Sequence, residues 1–299
     1  MKVCALLPDL SVVILNYKTR DLLRNCLHSV CASTLPRPLE VIVVDNCSRD
    51  GSSEMVEAEF PTVQLIRSPR NGGFAFGNNL GLRVARGRYV LLLNPDTTLP
   101  PDALAILTAF MDTHPEAGAC GPRLVRPDDS LDLACRRSFP TPEVALYRIA
   151  GLSKLFPKSR RFARYNLTYL NEHELAAVDS VVGACMLVRR EAFEQAGLLD
   201  EQFFMYGEDL DWAYRIKQHG WKIYYNPAAT VLHYKRESAK QRPVKTISEF
   251  YRAMLIFHRK HYARQTFFVL NWLIVASIYL RGGLALLINR LRPREEGMV

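Results

Sequence analysis

Four short apolar runs at the start of the chain constrain its fold more than any other feature. Ser11–Asn16 (SVVILN), Glu40–Asp45 (EVIVVD), Thr62–Arg67 and Tyr89–Asn94 are rich in Val, Ile and Leu and are separated by stretches long enough for a helix. Runs that are apolar throughout, rather than at alternate positions, predict strands covered on both faces, as in a mainly parallel sheet. The stretches between them predict helices over Arg20–Ala32, Ser52–Phe60 and Asn78–Ala85, and Pro101 opens another through Met111. Strands alternating with helices give an α/β, doubly wound sheet.

In such a sheet ligands bind beyond the carboxyl ends of the strands. Those ends read Asn16-Tyr17, Asp45-Asn46, Arg67 and Asn94-Pro95-Asp96. Each pair also suits an ordinary turn, and only their coincidence in one sheet favours a ligand crevice. A carboxylate at Asp96 can bind a hard divalent cation that bridges phosphates. The glycine-rich stretch 71–79 (NGGFAFGNN) lies between strands without the spacing of a dinucleotide fingerprint, and its glycines permit a close backbone approach to a ligand. No Walker-type phosphate loop occurs.

The sharpest local signal is Gly207-Glu208-Asp209-Leu210-Asp211-Trp212. Three carboxylates in four residues repel one another unless a helix N-terminus or a cation offsets them. In a helix Asp209 and Trp212 share a face, while Asp211 pairs with Arg215. A carboxylate here could deprotonate a hydroxyl, and an acidic first turn with a buried Trp is an equal alternative. Ser180–Arg189 predicts a strand with a helix from Glu191, and Ala228–Leu232 another strand ending at His233. Residues 126–179, with Pro127, Pro140, Pro142 and Pro157, predict loops and short helices over the site.

The net charge is +9, and all of the excess lies from Lys235 to Val299, which holds 13 Lys/Arg against 4 Asp/Glu. That stretch also holds the most apolar segment, Thr266–Leu280, followed by Leu284–Ile288. Basic residues flanking an apolar block point to an anionic membrane surface rather than nucleic acid. Fifteen residues before Arg281 fall short of the ~20 needed to span, which favours surface attachment. Packing against the rest of the chain, or against a second copy in a homodimer, is the alternative. Seven scattered cysteines without a C-x-x-C pair fit a reducing compartment, and Pro8 and Asp9 interrupt the N-terminus too early for a secretory signal.

As an ordered set, SVVILNY at 11–17, VIVVDNCSRDGS at 41–52, NGGFAFGNN at 71–79, LLLNPD at 91–96, VVGACMLVRREAF at 181–193, FFMYGEDLDWAYRIKQHGW at 203–221 and His233 resemble glycosyltransferase family 2, inverting enzymes of the GT-A fold. The nearest likeness is to the bacterial rhamnosyltransferase-like branch, which acts on lipid-linked intermediates of cell-surface polysaccharide. The resemblance implies a catalytic domain over 1–245, with a donor half at about 11–125 and an acceptor half at 126–245, and a helical tail over 246–299. It implies that Asn16, Tyr17, Asp45, Gly73, Asn78 and Asn94 meet a nucleotide-diphosphate sugar. Asp96 and His233 would hold Mg²⁺ or Mn²⁺, with Asn94 where the family's D-x-D signature has its first Asp. Asp209 would be the catalytic base with Glu208 beside it, and Trp212 and Gly183 would line the site for a lipid-linked or polysaccharide acceptor. A cytosolic enzyme on the inner face of the cytoplasmic membrane follows from that acceptor. A nucleotide-sugar-binding protein that keeps the fold without the reaction is the rival reading.

Overall fold

The computed structural model describes residues 8–234 and 243–291. Cys4 and part of the basic tail, including Lys235, Arg236, Lys240, Arg242 and Arg292, lie outside the described residues. The first four predicted strands form as β1 (Leu10–Asn16), β2 (Leu39–Asp45), β3 (Gln64–Arg67) and β4 (Tyr89–Leu93), joined by α1 (Arg20–Cys31), α2 (Ser52–Glu59) and α3 (Gly73–Leu82). All are parallel, in the spatial order β3-β2-β1-β4. Every residue of β1 and β4 is buried, which is why their sequences show no alternation. The register sets Asn16 opposite Asp45 and Asp45 opposite Arg67, so the polar strand ends line one edge of the sheet.

Beyond β4 the sheet is mixed. The remaining strands are β5 (Thr97–Thr98), β6 (Ala117–Val125), β7 (Ala176–Val178), β8 (Cys185–Arg189) and β9 (Lys222–His233). β8 runs antiparallel between β4 and β6, while β6 and β9 are parallel and β5 and β7 pair antiparallel with β9. The predicted parallel sheet thus describes the first half, and antiparallel strands complete the second. α4 (Ala103–Thr113), α5 (Pro142–Ile149), α6 (Leu152–Leu155), α7 (Arg190–Ala196) and α8 (Glu208–Gln218) pack around this frame.

The glycine-rich stretch is not a loop. α3 begins inside it, and its glycines serve packing against the sheet: a Cβ on Gly77 would lie 2.3 Å from Leu15 Cδ1. Gly73, at φ +91°, starts the helix in a backbone region that side chains disfavour, and a Cβ there would meet the Phe204 carbonyl at 2.3 Å.

The C-terminal helices are α9 (Pro243–His261) and α10 (Phe268–Leu291). The helical tail expected from residue 246 begins inside α9. α9 sends Ala253 and Phe257 into the main core and is clasped to α8: Asp211 accepts from Arg215 Nε, Lys260 Nζ and His261 Nε2, each at 2.8 Å. Burial raises the Asp211 carboxyl, but hydrogen bonds from His261 and Lys260 outweigh it and hold the group down at about 2. α10 continues through Arg281 and two glycines for 24 residues, with mean hydropathy 1.6, long and apolar enough to cross a membrane. It rests on α9 through Ile274 and Ile278, and Arg281 donates to the Ile149 carbonyl. Phe268, Trp272, Leu280 and Leu291 are exposed.

Candidate active site

One cavity of about 430 Å³ lies over the carboxyl edge of the sheet. Tyr17, Gly73, Asn94, Asp96, Gly183, Glu208, Asp209 and His233 all line it. The strand ends, the α8 N-terminus and the end of β9, distant in sequence, therefore meet in one place.

At the strand edge, β5 carries Asp96 to His233, because Thr97 is the register partner of His233. His233 Nε2 lies 3.4 Å from Asp96 Oδ1, and Nδ1 lies 3.1 Å from Asp132 Oδ2. Asp132 is wholly buried; its other oxygen accepts from Ala134 N at 3.1 Å. It reaches His233 through the turn that follows β6. Burial pulls the imidazole pKa down, but the hydrogen bonds to Asp132 and Asp96 prevail and push it up to about 9.

Among the described residues no group of three or more His, Cys, Asp or Glu is arranged to hold a metal ion. The donor set nevertheless fits a cation completed by its ligand. A carboxylate oxygen and an imidazole nitrogen 3.4 Å apart resemble neighbouring ligands of an octahedral ion, which stand about 3 Å apart when each bond is about 2.1 Å. Asp132 behind the ring stands where an outer partner would fix a ligating histidine.

At the helix end, Gly207 takes a left-handed φ of +81° and turns the chain into α8. The three acidic residues that follow have three different surroundings. Asp211 faces away, in its clasp with α9. Asp209 Oδ2 accepts from Arg137 at 2.8 Å and from Gly183 N at 3.0 Å, and Oδ1 from Leu210 N at 2.7 Å. Glu208 is buried with Oε2 lacking a hydrogen-bond partner, and burial together with the Asp209 charge pushes its carboxyl well above the usual range.

Several expected site residues sit elsewhere. Trp212 is fully buried, donates from Nε1 to the Gly197 carbonyl at 2.8 Å, and lies beside Phe193. It faces α7 and does not line the cavity, so its large apolar ring fills the core rather than an acceptor site. Asn16, Asp45 and Asn78 are buried and do not line the cavity. Asn16 Nδ2 donates to Asp45 Oδ1 and Ser48 Oγ, both at 3.1 Å, bracing the ends of β1 and β2, and Asn78 Nδ2 donates to the Phe74 carbonyl at 3.0 Å. Sequence reasoning missed Arg137 and Asp132. Asp132 stands between two leucines, a charged residue in an apolar setting, and that was the available signal. Arg137 carries none, since its partner is 72 positions away.

The family model for glycosyl transferase family 2 matches residues 11–197. The chain belongs to glycosyltransferase family 2. It is 28% identical over 96% of its length, and 96% of the other's, to the N-acetylglucosaminyl-diphospho-decaprenol L-rhamnosyltransferase of Mycobacterium tuberculosis. It is 32% identical, over 73% of its length and 64% of the other's, to a low-salt glycan biosynthesis hexosyltransferase of Haloferax volcanii. In structure this family member is similar to a Pyrobaculum calidifontis mannosyltransferase in complex with GDP-Man and Mn²⁺. The TM-score is 0.56 at 18% identity, covering 98% of this chain and 77% of that one. It is also similar to S. aureus TarS residues 1–349, with TM-score 0.54 at 15% identity, covering 96% and 75%. The fold is the GT-A fold that the motif order implied, and the chain is a glycosyltransferase.

Proposed function

We propose that this glycosyltransferase moves a sugar, L-rhamnose in the first instance, from a nucleotide-diphosphate donor to a hydroxyl of a lipid-linked glycan acceptor, with inversion. The observation that carries this is one cavity lined both by the Asp96–His233 pair and by the Asp209 carboxylate. The rhamnosyltransferase relative, similar along nearly the whole of both chains, supports the donor and acceptor class.

In this reading Tyr17, Gly73 and Asn94 border the donor, while Asn16 and Asp45 brace the ends of β1 and β2. Asp96 and His233 would hold Mg²⁺ or Mn²⁺, and such an ion would supply charge neutralisation to the leaving diphosphate. Asp209, aimed by Arg137 and the Gly183 amide, takes the proton of the acceptor hydroxyl. The hydroxyl oxygen bonds to the anomeric carbon as the bond to the diphosphate breaks, in a single displacement. Glu208 sits beside the base, its carboxyl pushed upward by burial and by the Asp209 charge.

The exposed apolar side of α10 supports residence at the cytoplasmic face of a membrane. Its hold on α9 and on Ile149 favours lying along that surface over leaving the protein to span it. The test is a screen of nucleotide sugars for metal-dependent hydrolysis and thermal stabilisation by the full chain. A response to dTDP-rhamnose supports the reading, and a response to no nucleotide sugar overturns it.

A further inference from the structure

The cavity bears two cations that the transfer itself does not use. Arg148 on α5 and Lys245 on α9 both line it, and both are exposed. Among the described residues neither has a carboxylate partner, in contrast to Arg137, which is committed to Asp209. Each instead lies over an aromatic ring of the cavity wall. The Arg148 guanidinium is 4.3 Å from the Tyr165 centroid, and Lys245 Nζ is 3.5 Å from that of Phe204. Stacking of this kind orders a long side chain and leaves its N–H donors available. Glu249, one turn after Lys245, is engaged by Arg252 at 3.2 Å.

The placement of the two cations is as informative as their charge. Helices α5 and α9 are the elements against which α10 rests, through Ile149 and through Leu255. Two cations without a carboxylate partner among the described residues, on elements that support an exposed apolar helix, match a ligand with an anionic head and a lipid chain.

We propose that Arg148 and Lys245 clamp the diphosphate of a lipid-linked acceptor, with its hydrocarbon chain directed along the exposed face of α10. This rests on the transfer reading above and adds the acceptor's anionic group to it.

The test uses Arg148→Gln and Lys245→Gln in the full chain, with two acceptors: an N-acetylglucosaminyl diphosphoryl lipid and a neutral alkyl N-acetylglucosaminide. The ratio of KM for the diphosphoryl lipid to KM for the neutral glycoside should rise about tenfold in either variant, as for loss of one charged hydrogen bond. Equilibrium binding of the diphosphoryl lipid without donor should weaken by a similar factor. An unchanged ratio with unchanged lipid binding overturns the clamp. If wild-type protein binds the lipid through these residues yet hydrolyses no nucleotide sugar, the transfer reading fails and the clamp stands.

Discussion

The two acidic clusters of the cavity manage their charge in opposite ways. At the strand edge Asp96 and Asp132 share one imidazole, so two carboxylates and a histidine form a single linked unit. At the helix start Glu208, Asp209 and Asp211 are kept apart: one is buried with its Oε2 unpartnered, one is held by Arg137, and one is clasped by α9. A linked unit suits a group that must stay in place around a cation. Separated carboxylates suit a site where only one of them handles a proton.

The largest test of that contrast is Asp209→Asn. It should lower kcat by about a thousandfold or more while leaving donor binding intact, because proton removal by a positioned base contributes on that scale. Near-normal turnover would remove the base from the helix cluster. Arg137→Gln leaves the Asp209 charge without its buried counterion and should destabilise the protein by about 3–5 kcal/mol, read by denaturant unfolding. An unaltered midpoint would mean that the helix start alone offsets the carboxylate.

Asp132→Asn should weaken metal-dependent donor binding by about ten- to a hundredfold, as loss of an outer-shell partner does, without abolishing it. If Asp132→Asn were silent while Asp96→Ala was not, the linked unit would dissolve into a lone ligand. Asp211 gives a pH signature. Its folded pKa of about 2 lies below the ordinary 3.8, so its contribution is complete above about pH 4 and is lost as pH falls through 2. Asp211→Asn should flatten that acid limb of the stability curve. Glu208 has the reverse sign: with its folded pKa raised, it costs stability once pH climbs past the ordinary glutamate range. Glu208→Gln should therefore raise Tm at neutral pH by about a few degrees, the smallest of these effects.

Legibility in the sequence follows from how local each cause is. Strands β1, β2 and β4 were readable because burial on both faces writes an uninterrupted apolar run. The Asp211–Arg215 pair was readable because helix geometry alone brings positions i and i+4 together. The glycines of α3 divide between two uses, Gly77 against the sheet and Gly73 at the cavity, since a close approach to a sheet and a close approach to a ligand ask for the same residue. Trp212 was misplaced for a related reason, as helical spacing assigns a face but not what that face meets. Arg137 depends on a partner 72 positions away that nothing in its neighbourhood records, and Asp132 shows only a charge between two leucines, not the histidine it meets.

The clasp on Asp211 also determines where the protein can be shortened. Removing everything after β9 would strip two of three hydrogen-bond partners from a buried carboxylate on the helix that bears Asp209, and would uncover Phe257's place in the core. The minimal expressible enzyme therefore extends through His261. A soluble version for crystallisation is better sought by trimming or repainting α10 than by cutting at the end of the sheet.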